Sequence, residues 1–299
     1  MQEKEYRSGF VTLCGRSNVG KSTLINAMVG EKVSIVSPRK QTTRSNLRGI
    51  VTRPEYQIVL VDTPGIHAAK TKLGEYMMKE ATGAMMDVEA IVFMTDAAAG
   101  FLDGDRRILE SLEQDDVPVF VAVNKIDAAH VSSVAKVCDA LNAFPFVKQV
   151  VPISAKKGTG VKELEEMIAQ ELPEGPQYFP EDMITDQPER VIISELIREK
   201  ALYRLHEEVP HGIGVEIIRM REREDGAEEI YANILCERQS HKRIIIGKNG
   251  SMLKEIGISA RRDIELLLGT RVDLRLWVKV QEDWRNREGI LRELGYREE

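Results

Sequence analysis

Short apolar runs separated by amphipathic stretches fill the chain from Phe10 to about Leu172. The runs Gly9 to Cys14, Ala90 to Thr95, Val117 to Val123 and Val150 to Ile153 are mostly apolar, as strands covered on both faces of a parallel sheet are. Helical spacing of apolar positions fills most of the intervals, which predicts a doubly wound α/β domain with helices on both faces. Arg48 to Thr52 and Tyr56 to Val61 also read as strands, with only Arg53-Pro54-Glu55 between them. So short a connection cannot hold a crossover helix, so this pair predicts a hairpin and one antiparallel edge strand.

The pattern changes at Leu172-Pro173-Glu174-Gly175-Pro176-Gln177-Tyr178-Phe179-Pro180, whose prolines disfavour both helix and sheet. This predicts a first domain over 1–172, a semi-rigid linker over 173–188 and a second domain over 189–299. In the second, a helix near Glu189 to Glu207 precedes strands near Ile213 to Arg221 and Glu229 to Glu237. A helix after Gly250 and a strand near Arg271 to Val280 follow, giving a smaller α+β arrangement. His241 to Ile246 fits either a strand or a helical turn.

A length of 299 residues suits two hydrophobic cores, and no run of apolar residues is long enough to cross a bilayer as a helix. Met1 to Arg7 lacks the apolar core of a secretory signal, so export is not expected. Cys14, Cys138 and Cys236 are far apart without CxxC spacing, which predicts buried thiols in a reducing cytoplasm rather than disulfides or zinc. A net charge of −6 excludes nucleic-acid coating by overall charge and requires any such site to be a local patch.

Four motifs then define a chemistry. Gly15-Arg16-Ser17-Asn18-Val19-Gly20-Lys21-Ser22 fits GxxxxGK[ST] between a predicted strand and a helix that continues through Thr23. Such a loop turns successive N–H groups toward phosphates, with Lys21 reaching the β/γ oxygens and Ser22 holding Mg²⁺. Asp62-Thr63-Pro64-Gly65 follows the run Ile58 to Val61, so Asp62 sits at a strand's carboxyl end and can hold the metal's water shell. Gly65 can offer its N–H to a γ-phosphate and move on hydrolysis. Asn124-Lys125-Ile126-Asp127 ends the next strand. The Asp127 carboxylate can accept from guanine N1–H and N2–H₂, a pair adenine cannot supply. Lys125 can lie along the base, Asn124 can tie this loop to the phosphate loop, and Ser154-Ala155-Lys156 can present the Ala155 N–H to guanine O6. Four motifs in order, each at a strand's carboxyl end, make one guanine-nucleotide crevice and predict a Mg²⁺-dependent GTPase that binds GTP and GDP.

This set resembles the translation-factor-related branch of small GTPases over residues 9 to about 172. Pro38 to Arg44 then fits a switch loop, and the resemblance implies Thr43, rather than Thr42, on Mg²⁺ and the γ-phosphate. Where relatives place a water-orienting glutamine, this chain has Ile66. Asn18 stands where related GTPases hold potassium beside the β/γ bridge, so the resemblance implies K⁺ as a second cation. Lys21, Thr43, Gly65 and Asn18 are accordingly the candidate catalytic residues.

In the second domain Gly247-Lys248-Asn249-Gly250 is a GxxG loop ahead of a helix. Around it Lys242, Arg243, Lys248, Lys254, Arg261 and Arg262 face a single acid, Glu255, within His241 to Arg262. Loop and local charge together predict an RNA site made by these residues. The order of elements is similar to a type II KH domain, and the combination resembles the Era family of bacterial ribosome-assembly GTPases. Tyr178 to Asp182, Ile197 to Lys200 and Leu276-Trp277-Val278-Lys279-Val280 carry the same resemblance. It implies binding of the 16S rRNA 3′ end region, a role in 30S subunit maturation, a monomer without a DNA partner, and a cytoplasmic location with scope for peripheral attachment to the inner face of the cell membrane.

Overall fold

The computed structural model describes residues 6–37, 47–62, 71–83, 87–206 and 209–296, with the backbone alone at 78–82 and 211. They form two compact units, and the division follows packing rather than chain order. Residues 35–37 and 71–76 belong to the second unit, and residues 173–186 to the first.

In the first unit, β1 (Arg7–Cys14) leads to α1 (Lys21–Val29), and β2 (Leu47–Arg53) turns into β3 (Tyr56–Asp62). After α2 (Lys72–Gly83), which belongs to this unit only from Met77 on, come β4 (Ala90–Asp96), α3 (Asp103–Ser111), β5 (Val119–Asn124), α4 (Val131–Asn142), β6 (Val147–Pro152) and α5 (Val161–Glu171). The sheet order is β2-β3-β1-β4-β5-β6, parallel except for the expected β2–β3 hairpin at one edge. Alternate residues of the apolar strands supply separate cores on the two faces. Val92, Met94, Phe120 and Ala122 pack into one, and Ile91, Phe93, Val119, Val121 and Val123 into the other. Each large aliphatic residue so buried contributes roughly 1.5–3 kcal/mol.

The proline-rich segment lies along this unit. Gln57, fully buried, accepts from the Tyr178 and Phe179 N–H groups at 2.8 and 3.0 Å and donates to the Phe179 carbonyl at 2.9 Å. Farther on, Ile50 N–H donates to Ile184 O at 2.9 Å, Gly49 bridges Thr185, and Arg48 pairs with Asp186 at 3.1 Å. The first six predicted strands are all present with shifted ends. The largest shift is β6, which starts three residues before the expected Val150, at Val147-Lys148-Gln149. It is an edge strand, so those positions are not apolar throughout.

The second unit contains α6 (Glu189–Arg204), β7 (Gly214–Glu222), β8 (Glu228–Cys236), α7 (Gln239–Ile246), α8 (Ser251–Leu268), β9 (Val272–Val280) and α9 (Glu288–Glu293). Its sheet order is β7-β8-β9, with β8 antiparallel to β7 and parallel to β9. Ile192, Leu196, Ile256, Ala260 and Ile264 pack against the inward residues Ile217, Ile230, Ala232 and Ile234. The ambiguous stretch His241 to Ile246 is helical, and α6 ends at Arg204, short of the expected Glu207, which lies outside the described residues. All three cysteines are free. Cys14 and Cys236 are buried as expected, whereas Cys138 is half-buried. Burial pushes the Cys14 thiol up to about 12 and leaves it protonated.

Candidate nucleotide site and nucleic-acid groove

The phosphate loop joins β1 to α1 beneath the carboxyl ends of the parallel strands, where an open α/β sheet binds ligands. Gly15 and Gly20 adopt φ of 139° and 112°, and a Cβ on either would strike the Met94 carbonyl or the Asn124 amide. Lys21 is buried and donates to the Gly15 and Arg16 carbonyls at 3.1 and 3.3 Å, which holds its ammonium inside the loop. Burial pushes that ammonium below its ordinary value, and the Asp62 carboxylate partly offsets the effect. Arg16 is anchored from outside by an ion pair at 2.7 Å to Asp105, a fully buried carboxylate on α3.

Asn124 spans two loops as expected: its amide donates to the Val19 carbonyl at 2.8 Å. Its side-chain oxygen accepts the Ala155 N–H at 2.9 Å, so that N–H is engaged within the protein rather than pointing at an open base position. Lys125 has a left-handed backbone, φ 64°, and its ammonium reaches the Asn18 carbonyl at 2.8 Å and Asp96 at 2.6 Å. Asn18 is left-handed as well, φ 66°. Asp127 is exposed and accepts from Ser154 Oγ at 2.7 Å, and this bond above all holds its carboxyl below the usual range. Nearby Lys157 and Lys156 act in the same direction. Ser17 and Thr23 are half-buried beside these groups.

In the second unit a groove of about 370 Å³ is lined by Gly250, Leu253, Lys254, Gly257, Ile258 and Arg261 of the α8 side, with Leu274 and Leu276 of β9 opposite. The α8 residues recur at helical spacing, so one face of the helix, apolar with two cations, forms the wall. Gly247, Lys248, Asn249 and Gly250 make the turn at its mouth, with positive φ at Gly247, Asn249 and Gly250. Lys248 and Asn249 are exposed. Glu255, the lone acid of the stretch, turns away toward Arg204 at 3.6 Å. Lys242, Arg243 and Arg262 belong to the same basic stretch on α7 and α8 but do not line the groove.

Residues 10–125 match a family model for a 50S ribosome-binding GTPase, and residues 208–285 match a KH domain. GTPase Era of Clostridium botulinum strain Kyoto is 53% identical over 292 residues, covering 98% of this chain and 99% of the relative. The Eklund 17B strain protein is 50% identical over the same span. The chain belongs to the Era family of GTPases. Two solved Era structures superpose with a TM-score of 0.92 at 42% identity, covering 97% of this chain and 99% of theirs. One holds MgGDPNP and nucleotides 1506–1542 of 16S ribosomal RNA, and the other, from Aquifex aeolicus, holds GDP·AlF₄⁻. As in that family, a P-loop GTPase domain precedes a KH domain here.

The donors present suit the magnesium such GTPases use. Asp62 is fully buried at the end of β3, and Ser22 Oγ donates to its Oδ2 at 2.7 Å, giving the paired hard oxygens that Mg²⁺ prefers. The expected switch residues Thr43, Thr63, Pro64 and Gly65, with Ile66, lie outside the described residues.

One residue that the sequence did not disclose joins this Era-type site. Ser34, buried, donates to the same Asp62 oxygen at 3.1 Å, and Asn26 clamps its backbone by bonding the Ser34 carbonyl and N–H at 2.7 and 2.8 Å and the preceding Val33 N–H at 3.0 Å. It would keep the carboxylate oriented when the Ser22 hydroxyl turns to metal. Ser34→Ala is expected to raise the Mg²⁺ concentration needed to retain GDP by roughly fivefold, the worth of one hydrogen bond. A nucleotide-release titration against Mg²⁺ checks this, and an unchanged midpoint would assign Ser34 to packing alone.

Proposed function

We propose that this chain hydrolyses GTP with Mg²⁺ held by Ser22, Asp62 and Thr43, and that its KH groove holds the 3′ end region of 16S rRNA during assembly and maturation of the 30S subunit. Nucleotide state then times the release of RNA. The observation that carries the RNA half is the groove itself, an apolar helix face with Lys254 and Arg261 leading from a GxxG turn. Such a turn lets a sugar-phosphate backbone come close while bases enter the groove. The related Era structure with a 16S segment supports the choice of RNA. The 50S description attaches to a model matching only the nucleotide half.

Bound Mg²⁺ would neutralise charge between the β- and γ-phosphates, and Lys21 would supply the second positive charge there. Asp127 and Ser154 select guanine. The protein acts in the cytoplasm as a monomer, with peripheral contact at the inner membrane face. Among the described residues no helix is long and apolar enough to cross a membrane. Crosslinking followed by RNA sequencing, with and without GTP, tests the whole reading. Enrichment of the 16S 3′ end that changes with nucleotide supports it, and enrichment of 23S sites would move the assignment to the large subunit.

For the chemistry we take Asn18 as a potassium ligand. Its left-handed backbone sits in the phosphate loop, and a monovalent cation there would take the part of an arginine finger. Single-turnover hydrolysis is expected to run several-fold faster in potassium than in sodium at matched ionic strength. Equal rates would remove the cation and leave the charge to a group supplied by a partner.

A further inference from the structure

Successive residues of a strand point to opposite faces, and β9 makes use of both. Leu274 and Leu276 line the groove beside α8, so Asp273, Arg275 and Trp277 lie on the outer face of the sheet. There the side chains form ordered rows. Arg219 of β7, Tyr231 of β8 and Arg275 of β9 are directly paired across the sheet. Both guanidinium groups approach the Tyr231 ring, with centroid distances of 5.9 and 5.3 Å, and Trp277 meets that ring edge-on at 5.5 Å. The indole is 46% exposed, and no described α-helix covers it.

Carboxylates hold the cations in place. Glu229 accepts from Arg221 Nε at 2.7 Å and from Tyr231 Oη at 2.9 Å, and Asp273 accepts from Arg275 at 3.1 Å. Arg223 and Lys279 extend the positive charge toward the two ends of the face, where Asp225 and Glu216 are the further carboxylates beside them. Cations therefore exceed acids on this face of a chain whose net charge is −6. An exposed indole beside a half-buried tyrosine ring, flanked by arginines on a sheet, offers unpaired bases a ring to stack on and phosphates cations to meet.

We infer that the outer face of the β7-β8-β9 sheet, centred on Tyr231 and Trp277, is a second RNA surface for the unpaired nucleotides that continue beyond the groove. β9 is the edge strand, so a chain of nucleotides leaving Leu274 and Leu276 rounds that edge to reach Arg275 and Trp277. A GxxG turn clamps about four nucleotides, which leaves a longer single strand free to do so. The inference rests on the RNA reading of the groove and adds a length dependence to it.

The two tryptophans permit a direct measurement, because Trp284 is fully buried and Trp277 is not. Oligonucleotides of about six and about twenty residues from the 16S 3′ end region are titrated into the full-length protein. The longer RNA is expected to quench tryptophan fluorescence and the shorter one to bind without quenching. Trp277→Ala should weaken the longer RNA roughly tenfold and leave the shorter unchanged, with Trp277→Phe restoring much of the loss. Arg275→Gln, which removes a cation and leaves both rings in the chain, should weaken the longer RNA alone. If the short RNA binds but the longer one neither quenches nor loses affinity in these variants, the outer face is not an RNA surface and the groove stands. If the parent binds neither length, the groove reading fails and takes this inference with it. If Trp277→Ala binds naked RNA normally but loses affinity for 30S subunits, the face contacts protein and the RNA assignment is overturned.

Discussion

An Asp127→Asn variant is expected to lose GTP affinity by roughly a thousandfold and to bind XTP in its place, because a site built to pair with a substrate's hydrogen-bond donors rejects partners that mismatch it. The carboxylate accepts from two guanine donors. An amide at this position keeps one acceptor and turns one donor toward the base, which suits the C2 carbonyl of xanthine. Ser154 Oγ, 2.7 Å from the carboxylate, can keep the new side chain in the same orientation. That same bond keeps the native carboxyl ionised below its usual range, so the contribution of Asp127 to GTP binding should stay flat as pH falls from neutrality. It should decline only below about pH 4, where ordinary carboxylates protonate. Competition between GTP and XTP checks the exchange. Full retention of GTP preference would falsify the assignment of this loop to the base.

Lys248→Asp combined with Asn249→Asp is expected to abolish measurable RNA binding, a loss of more than about a hundredfold, because two carboxylates at the GxxG turn would face the phosphates it must admit. The turn itself should survive. Both side chains are exposed, and Asp tolerates the left-handed backbone that Asn249 adopts at φ 51°. The nucleotide loops lie in the other unit, so GTP affinity should change little while any stimulation of turnover by RNA disappears. Filter binding at matched salt, beside a GTP titration, reads both quantities. Binding of ribosomal RNA as tight as the parent's would return the basic stretch to the role of a solvated helix face.

What could be read from the sequence depended on how locally each feature is encoded. The positions of the strands followed from apolar runs, and the hairpin from the three residues Arg53-Pro54-Glu55, because both signals lie inside the elements they specify. The phosphate and base loops were legible for the same reason. Residues 241–246 were not, since the run Ile244-Ile245-Ile246 favours a strand, yet only Ile245 is fully buried and the helix closes on Gly247. Ser34 gave no signal because its partner, Asp62, is 28 residues away. Asp96 and Asp105 were missed in the same way, since nothing beside them in sequence marks Lys125 or Arg16 as a partner. The seating of the proline-rich segment depends on Gln57, a polar residue inside an apolar strand whose amide bonds the nearby Thr52 hydroxyl and backbone 121 and 122 residues downstream.

That seating has a bearing on how the nucleotide half could be isolated. β2 is an outermost strand, and its open side is occupied by residues 184–186 through Ile184, Thr185 and Asp186. A polypeptide cut at Leu172, where the last helix of the Rossmann-like half is over, would keep every motif and yet leave the N–H and C=O groups of β2 bare. Bare strand edges recruit one another, so such a fragment would tend to self-associate and precipitate. Ending the fragment after Asp186 retains the strip of chain that shields the edge, and makes residues 184–186 the carrier of solubility as well as part of the connection.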